Sequence, residues 1–118
     1  MSFPEEKIWN EINEGWSRMS FRERFLWETI KRPPEEWEVP EYGKFWVVAL
    51  IGSKVIYFNH HEHGFNRSPW HRYGYIDAYE SLQYGLEMAI QAQLEIINTG
   101  YDIAPSRSPP IPGEYQKP

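Results

Sequence analysis

The chain has 118 residues and no cysteine, which fits one domain and excludes disulfide frameworks, thiolate metal sites and a cysteine nucleophile. Its formal net charge is −5, with ten acids against six bases before residue 42. That balance disfavours general binding to a phosphate backbone and suits solubility or a basic protein partner. Residues 2–6 lack the basic start and apolar run of a signal peptide. The longest apolar run, residues 45–51, falls far short of the roughly 20 needed to cross a bilayer. A cytoplasmic location away from membranes is therefore expected.

Residues 4–16 predict a first helix, because Ile8, Trp9, Ile12 and Trp16 recur on one face of a 3.6-residue period. Pro4, Glu5 and Glu6 suit its start, and Gly15 is expected to weaken or end it. Ser20-Phe21-Arg22-Glu23 matches a capping box and opens a second helix. Phe21, Phe25, Leu26 and Ile30 give its apolar stripe, and Pro33-Pro34 ends it. These patterns place Trp9, Trp16, Phe21, Phe25 and Trp46 in the core.

Residues 33–42 read as an irregular connector with three prolines and four acids. Residues 44–59 read as a β-hairpin turning at Gly52-Ser53. In that register Ile51 faces Lys54, Leu50 faces Val55, Ala49 faces Ile56 and Val48 faces Tyr57. Both hairpin faces are then apolar and need cover. Helices supply one cover, and another helix or a second chain must supply the other. A polar loop at 59–69, a third strand at 70–76 with Gly74 as a bend, and a long helix at 79–98 follow. Leu82, Leu86, Ala89, Ile90, Gln93, Leu94 and Ile97 share that helix's face, and Gly100 ends it. The expected fold is α+β, with N-terminal helices, an antiparallel meander of two to three strands and a long C-terminal helix packed on the sheet. Residues 1–100 form the single domain and 101–118 a proline-rich tail.

All four histidines, His60, His61, His63 and His71, fall within twelve residues and neighbour Glu62. Imidazole and carboxylate can ligate a divalent metal, so this loop is a candidate metal site, or else a solvated His-rich loop. Its spacing matches no metal signature. No nucleophile, base and orienting group stand in a recognised frame, and the paired acids lack an apolar setting, so no enzyme is expected. Glu35, Glu36, Trp37, Glu38, Glu41 and Tyr42 combine charge with two flat anchors, the mixture favoured in protein interfaces. Trp37 either anchors a partner there or tucks beneath the helices.

The block FWVVALIGSKVIYFNHHEHGFNRS, followed by YGYIDAYESLQYGLEMAI, resembles small bacterial proteins of the toxin-immunity type. The resemblance covers roughly residues 45–95 and carries over no catalytic residue. It implies a small acidic binder that occludes a basic toxin. A metal-binding protein and a structural homodimer are the alternatives.

Overall fold

The structure, a computed structural model, describes residues 3–100, so the proline-rich tail lies outside the described residues. Helix α1 spans Glu5–Ser17 and α2 spans Phe21–Ile30. The capping box forms: the Glu23 amide donates to Ser20 Oγ at 3.2 Å, and the Ser20 amide to Glu23 Oε1 at 2.9 Å. Gly15 does not end α1. It is buried where α1 meets α3, and a Cβ there would sit 2.6 Å from Leu86 Cβ. The glycine is required by that close helix approach.

Four antiparallel strands follow in the order β1-β2-β3-β4: β1 Lys31–Val39, β2 Gly43–Ile51, β3 Lys54–Asn59 and β4 Gly64–Pro69. Helix α3, Leu86–Thr99, closes the described chain and ends at Gly100 with φ 82°. The α+β class and the antiparallel meander stand as expected. The strand inventory is corrected at three places. The supposed connector at 33–42 contains most of β1, the supposed loop at 59–69 contains β4, and 70–76 is not a strand. Prolines 33 and 34 are tolerated because β1 is an edge strand and its register shifts between Lys31 and Glu35.

The hairpin keeps three of its expected pairs, Ile51–Lys54, Leu50–Val55 and Ala49–Ile56. A bulge at Val48 then pairs Tyr57 with Val47 instead of Val48. Val48 and Ala49 consequently both face the helices, with Ile56, Phe58 and Phe65. The opposite face carries Trp37, Val39, Phe45, Val47, Val55 and Tyr57.

That second face is covered by residues 70–84 of the same chain. Ile76 and Ala78 are buried against the fold, and Trp70 and Tyr79 pack on the second-face cluster. The segment reaches both sheet edges. On β1 the Glu38 amide donates to Gly74 O at 2.9 Å and the Ile76 amide to Glu38 O at 2.8 Å. On β4 the Phe65 amide donates to Tyr84 O at 2.8 Å. Pairing of this kind blunts edges that would otherwise template association. It also removes the reason for a homodimer built on a spare sheet face.

The same contacts explain why α3 begins at Leu86 and not at 79. Buried polar side chains of β3 and β4 occupy the backbone groups a helix would need. Tyr57 Oη accepts from the Glu80 amide at 2.6 Å, and Asn59 Nδ2 donates to Glu80 O at 2.8 Å. Asn66 Oδ1 accepts from the Leu82 amide at 2.7 Å while its Nδ2 donates to Leu82 O at 2.9 Å. Ser68 Oγ accepts from the Ala78 amide at 3.0 Å. Among the described residues no helix is long and apolar enough to cross a membrane.

Candidate functional site

Strand geometry divides the acidic cluster. Alternation along β1 sends Glu36 and Glu38 to one face and Glu35, Trp37 and Val39 to the other. Trp37 is 1% exposed, set against Trp70 and Tyr73 with ring centroids at 5.4 and 4.7 Å. It is therefore a core residue and not a surface anchor. Its Nε1 donates to Glu35 Oε1 at 2.8 Å, and the Tyr73 hydroxyl donates to the same oxygen. Those two donors, Tyr73 first, hold the Glu35 carboxyl below its ordinary range. Tyr42 stacks on Tyr79 at 4.0 Å and remains half exposed, and Glu41 is exposed in the β1–β2 turn. The six residues do not form one continuous docking face.

The histidines also separate. His63 Nε2 lies 3.2 Å from Glu11 Oε2 on α1, and His71 Nδ1 lies 2.9 Å from Asp77 Oδ1. His60 is held between Phe3 and Phe45, with centroid distances of 5.7 and 4.9 Å, and touches His61 edge-on. The turn is shaped by Asn59, whose Oδ1 accepts from the His61 and Glu62 amides. Among the described residues no group of three or more His, Asp or Glu is placed to hold a metal ion.

His60 gives a pH signature. Burial holds its imidazole below the ordinary range, and the charge of His61 acts in the same direction. An imidazole that resists protonation in the fold, but accepts a proton near pH ~6.5 when unfolded, favours the unfolded chain in acid. Its stabilising contribution is thus present above that value and is lost as pH falls. Thermal melts from about pH 7.5 to about pH 5 are expected to show wild type losing stability relative to His60→Phe, which keeps the ring stack. Parallel curves for the two proteins would contradict this.

The largest departure from the expected core is on the helices. α1 buries Ile8, Ile12 and Gly15, which turns Trp9 and Trp16 to its flank at 43% and 40% exposure. α2 buries Leu26, Trp27 and Ile30, so Phe21 and Phe25 point outward at 87% and 77% exposure. Leu26 and Ile30 belong to either stripe that the sequence offers. Trp27 completes the one that is buried.

The flanks of α1 and α2 enclose a groove of about 500 Å³, lined by Trp9, Ile12, Trp16, Trp27, Lys31 and Pro33 among others. The Arg24 guanidinium lies 3.8 Å from the Trp16 ring centroid, and its Nε donates to Trp16 O at 3.2 Å. Phe21 and Phe25, spaced i and i+4, form a ridge outside the groove. No family model matches the chain, and no curated protein or solved structure matches it.

Proposed function

We propose that the chain is a non-enzymatic protein-binding protein whose contact surface is the aromatic ridge of α2. Exposure of Phe21 at 87% and Phe25 at 77% carries this reading. Two phenylalanines a helical turn apart contribute little to this fold, whereas desolvated aromatic rings dominate interface energy. The net charge of −5, with exposed acids at Glu5, Glu6 and Glu14 on α1, suits a basic partner. An immunity protein occluding a basic toxin has this chemistry, and that remains the proposed class. The acidic strand β1 loses its leading role, because its side chains point to two faces and Trp37 is core.

Site-specific photocrosslinking tests the surface. A benzophenone side chain at Phe25 is expected to give one discrete heterologous adduct in the cell that makes the protein. The same group at Glu38 is expected to give none. An adduct from Glu38 with none from Phe25 would return the interface to β1. An adduct of twice the chain mass from Phe25 would make the ridge a self-association surface and overturn the heterologous reading.

A further inference from the structure

We propose that the tryptophan-lined groove between α1 and α2 is a docking site for the proline-rich segment of this same chain, residues 105–112. The groove offers two exposed indoles, Trp9 and Trp16, beside the buried Trp27, and is also lined by Pro33 and the polar side chains of Asn13, Lys31 and Arg32. Aromatic-lined grooves of this chemistry recognise proline-rich peptides in the polyproline II form. The rings pack on the pyrrolidines, and polar side chains meet the backbone carbonyls that this conformation leaves without internal hydrogen bonds.

The occupant follows from the sequence and from where the described chain stops. Pro105, Pro109, Pro110, Ile111 and Pro112 supply the apolar contacts, and Arg107 is the sole charged side chain between residues 103 and 113. Helix α3 packs on both α1 and α2, so the chain leaves the helical layer itself at Gly100. Nine further residues bring Pro109 up to about 30 Å from that point. The described protein measures 42 × 37 × 23 Å, so that reach spans most of the domain's width. Docking would withdraw from water the two indoles, Trp9 and Trp16, that the fold leaves 43% and 40% exposed. Phe21 and Phe25 do not line the groove, so this proposal and the partner surface on α2 stand or fall separately.

The absence of cysteine makes the test clean. A nitroxide on Ser108→Cys in the full chain is read against the six indole N–H signals. Docking predicts selective broadening of Trp9, Trp16 and Trp27, with Trp37, Trp46 and Trp70 far less affected. The broadening should vanish when Pro109, Pro110 and Pro112 are all changed to Gly in the labelled chain. Mixing unlabelled ¹⁵N protein with spin-labelled ¹⁴N protein should produce no broadening. Uniform or absent broadening overturns the proposal, as does broadening that survives the triple substitution. Broadening in the mixed sample would assign the groove to the tail of a second copy and overturn docking within one chain.

Discussion

Trp37→Ala is expected to remove about 3–5 kcal/mol of folding stability, the usual cost of emptying a buried Trp site. The ring is 1% exposed and lies between β1 and the 70–84 segment, against Trp70 and Tyr73. Truncation deletes both ring contacts and leaves Glu35 without the indole donor at 2.8 Å. A domain of this size has roughly 5–15 kcal/mol in total, so the variant should be near its threshold at 37 °C. Urea unfolding followed by circular dichroism checks this through a lowered midpoint at unchanged slope. Were Trp37 a surface anchor, its removal would shift stability by only about 0.5 kcal/mol.

Gly64→Ala is expected to cost about 3 kcal/mol, the upper part of the range for overpacking, because backbone has to move. An added Cβ would stand 2.2 Å from Leu82 O and 2.5 Å from Gln83 Cα. Leu82 cannot yield freely, since Asn66 grips both its amide and its carbonyl. Relief requires lifting residues 82–84 off β4, which breaks the bond from the Phe65 amide to Tyr84 O. Hydrogen exchange should therefore quicken first at the Phe65 and Leu82 amides, with the β2–β3 hairpin slower to respond. Unchanged protection at Leu82 would contradict this account of the glycine.

Local chemistry made much of the fold legible. The capping box at Ser20, the turn at Gly52, the left-handed Gly100 and the apolar run of β2 each act over a few residues. The missed pieces depend on distant partners. β1 did carry a period-two signal, Glu36-Trp37-Glu38-Val39, but the prolines around it outweighed the pattern. β4 offers no such alternation, because Asn66 and Ser68 face inward to hold the 70–84 backbone. The amphipathic text after residue 79 reads as helix until Tyr57, Asn59 and Asn66 claim its peptide groups. The orientation of α2 is hidden in the sequence for a related reason. Phe21, Phe25 and Ile30 are spaced as a stripe, and only packing of Trp27 against the fold reveals that the stripe is rotated. Four of the aromatics expected in the core, Trp9, Trp16, Phe21 and Phe25, are exposed, whereas Trp37, read as either an anchor or a tucked ring, is buried.

The most direct test of the central claim is the affinity of the Phe21→Ser/Phe25→Ser double variant for the partner crosslinked through Phe25. Because both rings are exposed, its unfolding free energy should stay within about 1 kcal/mol of wild type. Binding should weaken by at least about thirtyfold, the loss expected when interface hot-spot rings are removed. Undiminished affinity in that stable double variant would contradict the account.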